Sequence, residues 1–279
     1  IKIKKVYDTF LFHKNSYEKF LSNGISKTKP EKCSYCNFCD WSDHCNKEWK
    51  DKRHPNQVLG NNRKNCQKFY QAGIKTYDEI AKLECKTKIE GLREETKIER
   101  IEQAKLQIEA EKKGTPIFKP KEENFVLNKG FNLLPKESAC DLFFDIEGVQ
   151  DYVFPGRLEY LFGIYYEEDG EKIFKPFWAH NKKEEKKSVI DFFEFTKKHF
   201  KKYPDAKIFH YAPYEITTLE RLTSMFKVHG VDYDHYLNLG KFVDLFRIVK
   251  QAIYVSQNSY SLKDIEKYYD FKRSGDIRK

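Results

Sequence analysis

The stretch LFFDIEG at 142–148 sets Asp145 and Glu147 two residues apart in an apolar run. In a strand, residues i and i+2 project from the same face, so both carboxylates stand together beside a hydrophobic layer. Two anions held so close call for a cation. A second group, CSYCNFCDWSDHC, places Cys33, Cys36, Cys39 and Cys45 within 13 residues, while Cys66, Cys85 and Cys140 are scattered. An intracellular chain seldom forms disulfides, so thiols this close are expected to hold metal. Structural zinc and an iron-sulfur cluster fit the spacing equally well, with His44 as a substitute ligand. Neither needs an open coordination position, so the expected role is a staple that holds a loop together.

The elements that must position these groups follow from periodicity. Tyr7, Phe10, Leu11, Tyr17, Phe20 and Leu21 recur at near-helical spacing ahead of the cysteine loop. In CQKFYQAGIKTYDEIAKL, Gly73 and Ile74 interrupt two short helical patterns, a helix-hairpin-helix-like arrangement. Glycine there lets the backbone approach a phosphate, the next helix amino terminus offers amides, and Lys64, Lys68 and Lys75 add charge. A plain helical bundle accounts for the same residues. From 86 to 113 a charged segment carries Ile89, Leu92, Ile98, Ile101, Leu106 and Ile108 as an apolar stripe, the pattern of a long, exposed connecting helix. Gly114, Pro116, Pro120, Gly130 and Pro135 then mark a linker. Strands are expected at 141–146, 158–167, 172–179 and 207–211, and helices at 183–202, 214–227, 242–253 and 261–269. Three adjacent strands followed by alternating helix and strand predict a mixed sheet that begins as a meander.

The chain has 279 residues, 39% apolar and 34% charged, with 23 Phe and 18 Tyr to build cores under a very wet surface. That length favours two domains. Residues 141–279 hold 23 Lys and Arg against 23 Asp and Glu, whereas residues 1–140 hold 29 against 20, so the net charge of +9 lies wholly in the first half. Such asymmetry points to a polyanion partner, nucleic acid above all, although a lysine-rich surface is also an ordinary solvated face. No apolar run approaches the roughly 20 residues that span a bilayer, and no secretory pattern is present, so a soluble, cytoplasmic protein with no membrane partner is expected. The start at Ile1 suggests a piece of something longer.

Cys36-x2-Cys39-x5-Cys45, with Trp41 between, resembles the carboxy-terminal end of the iron-sulfur nuclease modules of the RecB family. That resemblance implies a four-iron (4Fe-4S) cluster whose remaining cysteine lies upstream, with Cys33 either replacing it or taking no part; zinc is the alternative. HPNQVLGNNRKNCQKFYQAGIKTYDEIAKL and KIEGLREETKIERIEQAKLQIEAEKKGTPIF are similar to the segments that follow the cysteines in RecB-like nucleases carrying a YprB-type RNase H-like domain. The resemblance extends over essentially the whole chain.

FFDIEG resembles the opening DxE motif of the DEDD-type exonucleases in the RNase H-like superfamily, and IFHYAPYE resembles their second motif. The resemblance makes Glu215 a third carboxylate; read alone, an acid in the first turn of a helix complements the helix dipole. This chain has His210-Tyr211 and Glu where the family usually has His-Asn and Asp. Asp244 in FVDLFRIVK and Lys263 in SYSLKDIEKYY fall on segments typical of the YprB-type domain. Asp244 either caps a helix or reaches the substrate through metal or water, and Lys263 either meets a phosphate or is surface charge. The family's late acid, in a Tyr-x3-Asp or His-x4-Asp motif, has no convincing counterpart before Lys279; Asp264, Glu266, Asp270 and Asp276 are the nearby acids. The resemblance places that acid, and commonly a helicase region, beyond this chain.

The expected architecture is α/β. The C-terminal part of a RecB-like module (1–85) carries the cysteine cluster and hairpin, a connecting helix and linker follow (86–140), and an RNase H-like mixed-sheet domain, truncated at its C-terminus, closes the chain (141–279). The expected activity is phosphodiester hydrolysis in DNA with Mg2+ or Mn2+, of single-strand 3′–5′ exonuclease type, within a larger nuclease and helicase. Two such ions roughly 4 Å apart activate the attacking water and stabilise the leaving oxygen. The rival expectation is a non-catalytic nucleic-acid-binding scaffold that keeps the fold.

Overall fold

The computed structural model describes residues 3–22, 30–122, 126–151, 156–269 and 271. The chain divides into two units, 1–104 and 105–279. No helix among the described residues is long and apolar enough to cross a membrane.

The first unit is helical: α1 (Ile3–Ser22), a 3₁₀ turn at Ser34–Phe38, α2 (Ser42–Asp51), α3 (Arg63–Gln71), α4 (Tyr77–Ala81) and the start of α5 (Glu94–Lys113). Trp49, Val58, Phe69, Ile74, Tyr77, Ile80 and Ile101 are buried in it. Asn62 caps α3 by accepting the Asn65 amide, and Thr76 and Glu79 form a capping box on α4. Between these helices Gly73 sits at φ +82°, a conformation that only glycine adopts cheaply, and the turn lets Ile74 drop into the core. The helical spacing at 7–21 does give a helix, but Tyr7, Phe10 and Tyr17 on it stay exposed.

Two expectations for α5 need correction. It begins at Glu94 rather than near 86, and it is not an exposed rod: Lys97, Ile101, Gln103, Ala104 and Leu106 are all buried. Lys97 tolerates burial because its ammonium donates to the carbonyls of Cys85 and Thr87 and pairs with Glu94. Those partners satisfy a charge that a hydropathy pattern assigns to solvent.

The second unit is built on a five-stranded sheet in the order β4-β3-β2-β5-β6. Its strands are β2 (Leu142–Asp151), β3 (Gly156–Glu168), β4 (Glu171–Trp178), β5 (Ile208–His210) and β6 (Phe242–Asp244). β2, β3 and β4 form the expected antiparallel meander, while β5 joins β2 in parallel and β6 joins β5 in parallel. Strict alternation on β2 sends Leu142, Phe144 and Ile146 inward and leaves Phe143, Asp145 and Glu147 outward. The inner face meets α6 (Lys182–Lys202) and α7 (Tyr214–Phe226), with the Phe144 and Phe192 rings tilted against each other, 4.6 Å between centroids. Each such fully buried aromatic contributes on the order of 2 kcal/mol.

After α7 come α8 (Gly230–Asn238) and, beyond β6, α9 (Leu245–Ala252). The helix expected at 242–253 starts late because its first three residues pair with β5. β1 (Phe118–Pro120) pairs with β7 (Ile253–Val255), and the Gly130 amide donates to the Gln251 side chain at 3.2 Å. The Gly- and Pro-rich linker thus becomes a strap laid along α9. A short α10 (Leu262–Ile265) follows.

Candidate active site

β2 carries the two acids in mid-strand rather than at its end, running on to Asp151. On one side β5 pairs with β2 only at Leu142 and Phe143, and the chain leaves the sheet after His210. Asp145 and Glu147 therefore lie past the carboxyl end of the parallel pair, where open α/β sheets place their sites. Opposite them on β3 stand Gly163 and Leu161. Both acids are exposed on the outer face.

The loop from β5 to α7 supplies the third acid. Ala212 is held at φ +75°, a strained conformation for a residue with a Cβ. Two contacts hold it there: the His210 ring lies 2.7 Å from the Ala212 carbonyl, and the Ala212 amide donates to Asp244 Oδ1 at 3.0 Å. The turn delivers Glu215 to the first turn of α7, at the positive end of the helix dipole. Glu215 is buried, and its Oε2 has no partner at hydrogen-bond distance; His210 Nδ1 lies 3.7 Å away and is directed to the Ala212 carbonyl. Burial raises the Glu215 pKa against the opposing pull of His210, and the Asp145 carboxylate adds a smaller rise.

Asp244, expected either to cap a helix or to act as a catalytic acid, makes the contacts of a cap. Its Oδ1 accepts the Phe246 and Arg247 amides at 2.9 and 3.3 Å, capping α9, as well as the Ala212 amide. It thereby holds the loop that carries Glu215. Burial, and Asp244 nearby, push the Tyr211 hydroxyl up to about 12, and that hydroxyl donates to the Tyr260 carbonyl. Lys263 is exposed on α10; Asp264 pairs with Lys267, and Asp270 and Asp276 lie outside the described residues.

In the first unit, the 3₁₀ turn brings Cys33 and Cys36 to 4.0 Å between sulfurs, and Cys36, Cys39 and Ser42 amides donate to the preceding turn carbonyls. Slight burial and the Cys39 and Cys36 sulfurs raise the Cys45 thiol. All seven cysteines are free thiols. Among the described residues, no group of three or more His, Cys, Asp and Glu could hold a metal ion, so the structure brings neither Cys33, Cys36, Cys39 and Cys45 nor Asp145, Glu147 and Glu215 together as a metal site. The donor types on the sheet are those that hard cations prefer: carboxylate oxygens, two of the side chains exposed and the third with a buried oxygen left without a partner.

The three lysines of the hairpin do different things. Lys64 and Lys75 are exposed, while Lys68 donates its ammonium to the Gly91 carbonyl. The amides of Lys75 and Thr76, which the hairpin reading offers to a phosphate, are taken by Glu79 at 2.6 and 3.0 Å. Glu159, Arg157 and Arg221 are functional-site neighbours with little signal in the sequence: the first two show only as an acid and a base, GRLEY, at the start of an otherwise apolar strand, and Arg221 on α7 has none.

Residues 142–279 match the family model RNase_H_2, of the RNase_H superfamily. The match starts on the first residue of β2 and takes in the whole five-stranded sheet, so this part of the chain has an RNase H-like mixed α/β fold. No curated protein and no solved structure matches the chain.

Proposed function

We propose that this chain is a divalent-metal-dependent nuclease of the YprB-type, RecB-associated kind, which trims one DNA strand from its 3′ end. The observation that carries the reading is Glu215: a buried carboxyl with an unpartnered oxygen, carried by a strained loop and within electrostatic reach of Asp145 on the RNase H-like central strand. A fold spends stability on such a group where a cation is to be bound.

Asp145, Glu147 and Glu215 would hold Mg2+ or Mn2+, which supplies Lewis acidity and a nucleophilic hydroxide when bound. Asp145 and Glu147 present their carboxylates on the open face, where a phosphodiester can approach. Glu215 closes the group from the helix side, and its ionised form requires positive charge beside it because burial disfavours the anion. Asp244 acts through the loop, fixing Ala212 and hence the start of α7. The basic first half, with Lys64 and Lys75 exposed, supports a DNA partner, and Lys263 is a further phosphate contact in this reading. Cys36, Cys39 and Cys45, with Cys33 as the fourth thiol, would hold an iron-sulfur cluster or zinc as a staple.

A second reading, a nucleic-acid-binding module without catalysis, is favoured by the finding that no group of three or more His, Cys, Asp and Glu among the described residues could hold a metal ion. Mn2+-dependent digestion of end-labelled single-stranded DNA by the chain and its Asp145→Asn variant separates the two. Cleavage lost in the variant supports the nuclease. Equal DNA binding with no cleavage by either supports the scaffold.

A further inference from the structure

A one-residue irregularity in β3 carries a consequence for the site. Glu147 pairs with Leu161, but the next residue, Gly148, pairs with Glu159, so Tyr160 is an extra residue on β3. Regular alternation would put Glu159 on the outer face with Leu161; the bulge turns it to the helix face instead. There it is wholly buried, and both of its oxygens are engaged. Oε1 accepts from Arg221 Nη2 at 2.6 Å and Arg157 Nε at 3.1 Å, and Oε2 accepts from the Tyr214 hydroxyl at 2.7 Å. Its own amide donates to Glu185 of α6 at 2.7 Å.

Solvation of the arginines does not require this acid, because the Arg157 and Arg221 side chains are each 42% exposed and reach water themselves. Packing does not require it either, since an apolar side chain fills such a space at less cost than a buried carboxylate. What the acid does uniquely is join elements. Tyr214 immediately precedes Glu215, Arg221 lies further along α7, and Gly148 immediately follows Glu147. Gly148 can approach only because it lacks a Cβ, which would stand 1.7 Å from Glu159 Oε2.

We infer that Glu159 is a positioning residue: it fixes the start of α7, and so the Glu215 carboxyl, against the middle of β2, which bears Asp145 and Glu147. The inference rests on the reading of those three acids as the metal-holding group. Arg157 completes the bracket from the other side, donating to the Gly148 carbonyl at 3.3 Å while its guanidinium lies over the Tyr214 ring.

Two variants test this: Glu159→Gln, which keeps size and removes charge, and Tyr214→Phe, which removes one oxygen and leaves the ring. Metal-free hydrogen exchange at the amides of 217–220, which bond back to the first turn of α7, should quicken about tenfold while the strands stay protected. The Mn2+ concentration for half-maximal cleavage should rise severalfold, with the rate at saturating Mn2+ largely kept. Exchange that is unchanged in Tyr214→Phe, or that quickens equally throughout the sheet, overturns the inference. So does an unaltered Mn2+ requirement in an active enzyme. If the unmodified chain neither cuts nor binds Mn2+, the nuclease reading fails, and local quickening still supports Glu159 as the anchor of α7.

Discussion

Replacing Gly148 with Ala adds one methyl group at the most crowded point of the second unit. The new Cβ would lie 1.7 Å from Glu159 Oε2, 2.8 Å from its Cδ and 2.9 Å from Arg157 Nε. These are not free chain ends: Oε2 is held by the Tyr214 hydroxyl and Oε1 by Arg221, so relief means breaking charge-assisted contacts in a buried place. Overpacking costs about 1–3 kcal/mol. Losing one hydrogen bond to a charged group costs about 1.5–3 kcal/mol more. The stiffer unfolded chain returns about 0.4–1 kcal/mol. The net expectation is a loss of about 2–5 kcal/mol, read as a fall in urea midpoint at constant slope. Gly163→Ala is the control, because its Cβ would meet Phe174 at 3.1 Å and that ring is 57% exposed and can swing away. It should cost less than about 1 kcal/mol. Adding Glu159→Ala to Gly148→Ala should cost much less than the sum of the two, since the clash goes with the carboxylate. A loss below about 1 kcal/mol for Gly148→Ala, or strict additivity in the pair, would refute the picture of a glycine held under a fixed buried acid.

Two further outcomes follow from buried groups. Glu215→Gln replaces a buried carboxylate and its unpartnered oxygen with a neutral amide, so at neutral pH without metal the variant should melt higher, by about 1 kcal/mol of stability, while losing cleavage; an unchanged or lower melting temperature would contradict the account of the site. His199 is buried with Nε2 2.7 Å from the Cys140 carbonyl, and burial lowers its pKa. The unfolded chain then takes up the proton first as pH falls, so the contribution is full above about 6.5 and declines below it; urea midpoints at pH 5.5 and 7.5 should differ more in the unmodified chain than in His199→Gln.

The strands and acids of the sheet were readable because their signals are local. Alternation places Asp145 and Glu147 together without any tertiary information, whereas Glu215 stands out only through the resemblance of IFHYAPYE to an exonuclease motif. Three things were not readable. The bulge at Tyr160 inverts the facing of every residue before it, so Glu159 looks solvent-directed until the register is known. β6 is three residues long and runs straight into α9, too short for a period of two to stand out from one of 3.6. Lys97 reads as surface charge, yet it is buried because two loop carbonyls and Glu94 converge on it. Each of these depends on a partner distant in sequence or on a single displaced residue.

The central claim is that Asp145, Glu147 and Glu215 form one metal-holding group that cuts DNA. The most direct measurement is the rate at which single-stranded DNA, labelled at either end, is degraded with Mn2+ by the chain and by Asp145→Asn. The account predicts metal-dependent shortening from the 3′ end that falls at least about a hundredfold in the variant, the loss of several kcal/mol of charge stabilisation. Cleavage at an equal rate by both proteins, or DNA binding by both with no cleavage, would contradict it.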